Sequence, residues 1–180
     1  MFSFSFSLHE NEFVRKLPEN IRLGYTLAKA VRIAAISKPS DFSGLTLDED
    51  EKINSEDVIT TYMLKTCLMK YFDENMDNTF VMKAKDRTWA EMIYRKLREY
   101  INNRKLTTYY GDGVLFQCGD HADDDRVDRV CCQKRLLILR MCDAILTWLI
   151  KNRLELKRRG VAPKPVVPKK LWRIFSKWRK

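Results

Sequence analysis

The chain of 180 residues is 45% hydrophobic and 11% aromatic, which excludes a disordered chain and allows one domain with a core of its own. Six glycines and five prolines are too few for the many tight turns of a β-sandwich or barrel, so we expect a helical protein. The net charge of +10 is uneven: residues 151–180 hold twelve Lys and Arg against one acid, and the first 150 residues are close to neutral.

The N-terminal residues predict a strand followed by a helix. Phe and Ser alternate over residues 2–7, which is the period of a strand with one buried face. Ser7 stands three residues before Glu10, the spacing of a capping box, so a short helix should run to Leu17. We therefore expect a strand at residues 1–7, whose partner strands must be sought elsewhere.

A second helix is expected to begin with Pro18 in its first turn and to end at Lys38-Pro39. Residues 37–54 are acidic and are predicted to form a loop with few core residues. The apolar stripe of the helix consists of residues at helical spacing: Ile21, Leu23, Leu27, Ala30, Val31 and Ala34.

Two further amphipathic helices are predicted, with Ser55 as the N-cap of the first and Asp86 as the N-cap of the second. Since both are amphipathic, we expect them to pack together. The apolar positions are Ile59, Tyr62, Met63, Cys67 and Tyr71 in the first helix, and Trp89, Ile93, Leu97, Tyr100 and Ile101 in the second.

The second half of the chain predicts a loop, a long helix and a basic end. Residues 107–117 are rich in turn formers and should form a surface loop whose apolar Val-Leu-Phe docks on the helices. A long helix is expected from Arg126 to Arg159. Residues 160–168 contain three prolines and should be an extended linker. The fold class is therefore mainly α: a helix bundle over residues 8–159, with a short N-terminal strand and a basic amphipathic helix at 169–180.

No metal site is predicted. The Cys and His residues near the middle of the chain do not include the second close pair that a four-ligand zinc site needs. These residues are Cys118, His121, Cys131, Cys132 and Cys142. The odd number of cysteines and the lack of a secretory signal predict a reduced protein of the cytoplasm or nucleus.

No transmembrane segment is predicted either. The most apolar stretch is 136–150, but it has only fifteen residues and contains Arg140 and Asp143. A spanning helix needs about 20 apolar residues.

The basic end of the chain permits three interpretations. Its cations and aromatic rings could contact phosphates and bases of a nucleic acid, or an anionic membrane surface, or only the rest of the chain. Composition does not distinguish among them. The residues concerned are Lys169, Lys170, Trp172, Arg173, Phe175 and Trp178.

Four segments, in order, resemble the C-terminal helical half of the cyclic GMP–AMP synthase (cGAS) and male-abnormal-21 family, in its cGAS-like receptor branch. The most specific is ITTYMLKTCL, which is similar to the family's Ser-Ser-Tyr-x-Leu-Lys-Thr motif. The resemblance covers residues 5–116. The other segments are SFSLHENEF, RLGYTLAKAVR and WAEMIYRKLREYINNRKLTTYY with the following LF.

The resemblance implies that a catalytic lobe is missing from this chain. In the family, a nucleotidyltransferase lobe with a twisted sheet and metal-binding aspartates precedes the helical half, so residues 1–7 would be the last strand of that sheet. The full-length family uses Mg²⁺ with ATP or GTP. Because nucleotidyl transfer needs carboxylates that hold two metal ions, no catalysis is expected of this chain alone, and no cofactor is expected in it.

The resemblance also implies nucleotide-binding roles. Lys29 matches the lysine that contacts the triphosphate, Thr61 replaces a serine that bonds a phosphate, and Tyr62 matches the tyrosine that stacks on the base. Further members of the set are Lys65, Ser5 and Ser7. Lys29 and Tyr62 also permit a purely structural interpretation, in which they pack within the helical lobe.

Two departures from the family limit what is carried over. Ser3 stands in place of a base-contacting arginine, and the zinc-binding insertion that helps cGAS to hold DNA is absent at residues 17–19. The zinc-dependent DNA role is therefore not expected.

These features predict a module that binds nucleotide or double-stranded nucleic acid in innate-immune-type sensing. A full-length relative or a nucleotidyltransferase lobe is a candidate partner. Two alternatives stay open: a protein-interaction or membrane-surface module anchored by the basic end, and a fragment of an active enzyme that makes cyclic dinucleotides.

Overall fold

A computed structural model describes most of the predicted helical body. The described residues are 11–48, 58–111, 113–118 and 125–158, with the side chains of 125–129 and 153–158 left out. The predicted strand at 1–7, the linker at 160–168 and the basic helix at 169–180 lie outside the described residues, as does the predicted N-cap Ser55.

The described part is mainly helical, which confirms the predicted fold class. Its only sheet has two strands. In chain order the elements are α1 at residues 11–16, α2 (Glu19–Ser37), a 3₁₀ turn (Pro39–Asp41), α3 (Thr61–Asn75), α4 (Thr79–Met82), α5 (Asp86–Asn102), β1 (Lys105–Thr107), β2 (Val114–Gln117) and α6 (Asp125–Arg158).

Helix α5 lies at the centre of the bundle and contacts α2, α3 and α6. The predicted apolar positions Trp89, Ile93, Leu97 and Ile101 are all at most 1% exposed. They recur every four residues, so they form one stripe along the helix. Burying each such side chain contributes about 1.5–3 kcal/mol, which makes this stripe the main support of the core.

Helix α2 approaches α5 closely at Gly24. A Cβ at that position would lie 2.4 Å from the Cβ of Trp89 and 2.7 Å from the carbonyl oxygen of Asp86. Further along, the buried hydroxyl of Tyr94 donates a hydrogen bond to the carbonyl oxygen of Ala28 at 2.8 Å. Glycine is thus required for the approach, and the tyrosine fixes the register of the two helices.

The predicted start and face of α2 need correction. Pro18 is the N-cap rather than a first-turn residue, and Leu23 is 47% exposed although it was assigned to the apolar stripe. The stripe is rotated toward Tyr25 and Ala28 because Gly24 places that side of the helix against α5. The helix does end at Ser37, as predicted.

The prediction of few core residues between α2 and α3 is wrong for residues 38–48. Phe42, Leu45 and Leu47 are all less than 9% exposed. The centroid of the Phe42 ring lies 5.6 Å from that of the Trp148 ring on α6. The acidic residues on either side, Asp41 and Asp48, obscured the apolar residues that anchor this segment to α6.

Two helix starts differ slightly from prediction. Ile59 precedes α3 rather than lying in it, because Thr60 is the N-cap and its hydroxyl accepts a hydrogen bond from the Met63 amide at 3.1 Å. Helix α5 begins at Asp86, and Lys85 occupies the N-cap position.

The predicted loop at 107–117 contains a β-hairpin instead. Strands β1 and β2 pair antiparallel, with Leu106 opposite Phe116 and an irregularity after Leu106. The two facing side chains are buried, so docking of the apolar segment is confirmed for Phe116, whereas Val114 is 50% exposed. The Phe13 ring of α1 packs against the rings of Phe72 on α3 and Tyr109 in the turn of the hairpin, at centroid distances of 5.5 and 6.1 Å.

Helix α6 follows the predicted bounds closely. Its Arg135 reaches the C-terminal end of α5, donating hydrogen bonds to the carbonyl oxygens of Ile101 at 3.1 Å and Asn102 at 3.3 Å. The Ile101 carbonyl also accepts a hydrogen bond from the Arg104 backbone N–H at 3.1 Å, so Arg135 adds to the backbone capping of α5. Across the residues described, none of the helices has both the length and the apolar character needed to cross a bilayer.

Candidate functional site

Four of the six predicted nucleotide-binding residues lie on two helices in contact. Lys29 is on α2, and Thr61, Tyr62 and Lys65 are on the first two turns of α3. Ser5 and Ser7 fall outside the described residues, as do the six residues predicted to act in the basic end. We call Lys29, Lys65 and the tyrosines beside them, Tyr25 and Tyr62, the first lysine–tyrosine cluster.

Lys65 is buried, with only 8% of its surface exposed. Its ammonium lies 5.1 Å from the centroid of the Tyr62 ring and 3.4 Å from the Oδ1 atom of Asn11 on α1. A buried ammonium is costly unless it finds such contacts. The cation is therefore held at a defined position between α1 and α3.

Lys29 is half-buried, and its ammonium lies 4.7 Å from the centroid of the Tyr25 ring. Burial lowers the pKa of Lys29, and the charge of Lys65 lowers it further. The two ammonium groups are thus close enough to repel each other. An anion beside both would relieve this repulsion.

Tyr25 also connects the two helices. Its hydroxyl donates a hydrogen bond to the carbonyl oxygen of Thr61 at 3.3 Å. Thr61 is the first residue of α3 and is exposed, whereas the hydroxyl of Thr60 serves as the cap. An exposed hydroxyl at a helix N-terminus is placed where the backbone dipoles favour negative charge.

Sequence reasoning missed Tyr25 and Asn11. Tyr25 had a signal, because it precedes Lys29 by four residues, and this spacing puts a ring and an ammonium on one face of a helix. Tyr62 and Lys65, three residues apart, follow the same rule. Asn11 lies 54 residues from Lys65, and nothing in the sequence indicated that contact.

A second lysine–tyrosine cluster was also missed. The ammonium groups of Lys70 and Lys96 lie 5.0 and 5.6 Å from the centroid of the Tyr100 ring. Lys96 forms ion pairs with Glu74 at 2.8 Å and Glu99 at 3.3 Å. Burial lowers the pKa of Lys96, but the hydrogen bonds and charges of the two glutamates outweigh burial and raise it. Burial lowers the pKa of Lys70, although Glu74 acts against this shift, so the two glutamates balance the charge of Lys96 in particular.

An open groove of 620 Å³ lies between α5 and α6. An ion pair crosses it, from the Nε atom of Arg98 to the Oδ1 atom of Asp143 at 2.5 Å. None of the four predicted site residues that the structure describes lines this groove. The lining consists of Arg95, Arg98, Glu99, Asn102, Asn103, Asp143, Leu146, Thr147 and Ile150.

The described side chains include no group of three or more His, Cys, Asp or Glu that could hold a metal ion. His121, which was considered with the cysteines as a zinc ligand, lies outside them. Asp41 and Asp48, two acids of the segment between α2 and α3, are exposed. Among the described side chains, neither belongs to a group of three acids that could hold a metal ion.

Comparison with known proteins gave no relative. No protein-family model, curated protein or solved structure matches this chain. The similarity to the cGAS and male-abnormal-21 family therefore rests on the four quoted segments, and the contacts above carry the functional argument.

Proposed function

We propose that this chain is a helical module that binds nucleotides or double-stranded nucleic acid through phosphate, and that it is related to the C-terminal half of the cGAS and male-abnormal-21 family. It does not catalyse nucleotidyl transfer by itself. The observation that supports this proposal is the half-buried Lys29 close to Lys65, a lysine with only 8% of its surface exposed.

Phosphate is the chemistry that suits this pair. Two ammonium groups whose mutual charge lowers a pKa are held at an electrostatic cost. A phosphate group that contacts both offsets that cost and gains charge-assisted hydrogen bonds worth about 1.5–3 kcal/mol each. The hydroxyl of Thr61 adds a further donor at the start of α3.

The tyrosines provide the second element of nucleotide recognition. Tyr62 is half-buried, so part of its ring remains accessible for a base to stack on. Stacking on an aromatic ring contributes about 1–3 kcal/mol per base and tolerates different bases. Phosphate contact by the lysines and stacking on Tyr62 together favour a nucleotide over an inorganic anion.

The proposed module carries out no metal-dependent step by itself. The family's reaction needs carboxylates that hold two Mg²⁺ ions about 4 Å apart. The acids among the described residues do not form such a group. ATP or GTP would be a bound ligand here, and this chain's own residues would bind and orient it.

The test is a calorimetric titration of the full chain with GTP and with inorganic triphosphate. Lys29→Ala and Lys65→Ala should each weaken binding by about tenfold or more, the loss expected for one charged hydrogen bond. Lys70→Ala is the matched control, because Lys70 also lies on α3 with its ammonium over a tyrosine ring. Equal losses in all three variants, or no binding by the wild type, would refute the proposal.

The charge of residues 151–180 supports a role for the basic end in the same function. We propose that it contacts the backbone of a double-stranded nucleic acid; the alternative occupant is an anionic membrane surface. The variant Lys169→Glu/Lys170→Glu/Arg173→Glu separates them when binding to duplex RNA at several salt concentrations is compared with flotation on phosphatidylserine vesicles. Loss of salt-sensitive RNA binding supports the proposal, and loss of flotation alone supports the membrane role. If the variant retains both, the basic end has neither role.

A further inference from the structure

Two cysteines from different elements meet where the hairpin ends and α6 begins. The Sγ atoms of Cys118, directly after β2, and Cys132, on α6, are 3.9 Å apart. All five cysteines are thiols in this structure. A distance of 3.9 Å is sulfur–sulfur contact, and a disulfide bond of about 2.05 Å needs only a modest approach from there.

The two thiols differ in accessibility. Cys132 is exposed, so an oxidant in solution can reach it. Cys118 is 6% exposed, and its backbone N–H donates a hydrogen bond to the Arg104 carbonyl oxygen at 3.0 Å, which holds it in place. This arrangement has an attacking thiol at the surface and a resolving thiol beneath it.

The remaining cysteines are placed differently. The Sγ atom of Cys131 donates a hydrogen bond to the Gln117 carbonyl oxygen at 3.2 Å, and its thiol also interacts with that of Cys118. The Cys131→Ser variant therefore decides which of the two adjacent cysteines pairs with Cys118. Cys67 and Cys142 are both 0% exposed within the core. Burial raises the pKa of both thiols, and it raises the pKa of Cys118 as well. Cys118 differs from them in its 3.9 Å contact with the exposed thiol of Cys132, which an oxidant can reach.

We propose that Cys118 and Cys132 form a reversible intramolecular disulfide that joins the end of the hairpin to α6. With glutathione disulfide as oxidant, the Cys132 thiolate attacks one sulfur, forms a mixed disulfide and releases one glutathione thiolate, which takes up a proton. The Cys118 thiolate then attacks the Cys132 sulfur and releases the second glutathione. The two protein thiols lose two electrons, and glutathione disulfide gains them.

The bond would act as a clamp on the hairpin. The side chains of Leu106 and Phe116 hold the hairpin to the core. The disulfide would in addition join Cys118, the residue that follows β2, to helix α6. It closes a chain segment of 13 intervening residues, which lowers the freedom of the unfolded chain. Neither cysteine belongs to the first lysine–tyrosine cluster, so this inference is independent of the proposed function.

The test is peptide mapping of the full chain after equilibration with defined ratios of reduced and oxidised glutathione. Tryptic cleavage places Cys118 in peptide 106–126 and the two adjacent cysteines in peptide 130–134. We expect the two peptides to be linked after oxidation and to separate after dithiothreitol treatment.

Two serine variants identify the bond. Cys131→Ser should retain the linked peptides, whereas Cys132→Ser, at an exposed position that tolerates the change, should lose at least nine-tenths of them. Linkage that persists in Cys132→Ser, a glutathione adduct on Cys132 as the final product, or disulfides between chains would each overturn the proposal.

The clamp itself is tested by melting temperature. Closing a loop of this size should raise the Tm of the oxidised wild type by roughly 5–10 °C relative to the reduced chain. Cys132→Ser should show no such difference. A linked chain that melts at the same temperature as the reduced one would contradict the clamp.

Discussion

The two lysine–tyrosine clusters use the same residue types, but the pKa of Lys96 in the second and that of Lys29 in the first are shifted in opposite directions. Each brings two ammonium groups close to tyrosine rings, and each uses α3. In the second cluster, Glu74 and Glu99 raise the pKa of Lys96 despite burial. In the first, burial lowers the pKa of Lys29, and the charge of Lys65 lowers it further.

This difference separates structural lysines from candidate ligand-binding ones. A lysine bridged by carboxylates satisfies its charge within the fold, and its contribution is to stability. A lysine such as Lys29, whose pKa is lowered by burial and by a neighbouring ammonium group, is complementary to an external anion. A lysine and a tyrosine at helical spacing therefore do not identify a ligand-binding site by themselves. The charged groups beside the lysine determine the direction in which its pKa shifts.

A substitution that displaces α2 should disturb the first cluster and not the second, because α2 carries Lys29 but neither Lys70 nor Lys96. Gly24→Ala would force a Cβ to within 2.4 Å of the Trp89 Cβ and 2.7 Å of a backbone oxygen. We expect the free energy of unfolding to fall by about 3 kcal/mol, the upper range for overpacking, as measured by urea titration.

The matched control for this change is Thr26→Ala on the same helix. The Thr26 hydroxyl donates only to the Arg22 carbonyl of its own helix, so its loss should change stability by less than about 0.5 kcal/mol. Equal unfolding midpoints for the two variants would show that α2 does not depend on the close approach.

Replacing the rings sharpens the comparison. Tyr62→Ala should weaken GTP binding roughly 5- to 150-fold, the equivalent of one stacked base, and should weaken the binding of inorganic triphosphate less, by the loss of the ring's contact with the Lys65 ammonium. Tyr100→Ala, in the second cluster, should change neither affinity. Calorimetry measures both, and a similar loss of GTP affinity in the two variants would remove the stacking role from Tyr62.

Removing the acids should make the second cluster resemble the first. In Glu74→Gln/Glu99→Gln, burial acts on Lys96 without its ion pairs, so its pKa should fall below 10.5 in an NMR titration. The unfolding free energy should fall by less than about 1 kcal/mol, because the carboxylates are 47% and 56% exposed and solvent screens them. Glu12→Gln, which removes a surface pair with Lys16, should leave the Lys96 pKa where it is.

The smallest expected effect is the pH dependence of Lys29. Its pKa in the folded chain is below the unfolded value of 10.5, so the unfolded chain binds more protons between those two values. The free energy of unfolding should therefore rise with pH across that window. Triphosphate affinity should fall a few-fold across the same window as Lys29 loses its charge.

Lys29→Arg provides the control for this pH dependence, because an arginine stays charged. Triphosphate affinity of that variant should be flatter over the same pH range. A wild-type profile as flat as that of Lys29→Arg would mean that Lys29 takes no part in anion binding.

Helical spacing predicted the elements whose apolar residues recur regularly. The stripe of Trp89, Ile93 and Leu97 is an example, since each turn repeats the same signal. The hairpin was missed because its strands have only three and four residues, with an irregularity after Leu106 that interrupts alternation. Phe42 was missed because its anchoring contact with α6 is distant in sequence.

The candidate site was predictable only within single helices. The family resemblance pointed to Lys29 and Lys65, and i to i+4 spacing could have added Tyr25. The mutual effect of the two lysines depends on how α2 and α3 pack, and the contact from Asn11 crosses 54 residues. The closeness of Cys118 to Cys132 likewise depends on where the hairpin docks.

The capping of α5 by Arg135 also sets an order of events during synthesis. The guanidinium that completes the last turn of α5 is made 34 residues after Ile101. At about 5–20 residues per second, a ribosome needs roughly 2–7 seconds to add it. Through that interval the Ile101 carbonyl has only its hydrogen bond from the Arg104 backbone, and the guanidinium contacts of Ile101 and Asn102 form after α6 has begun to emerge.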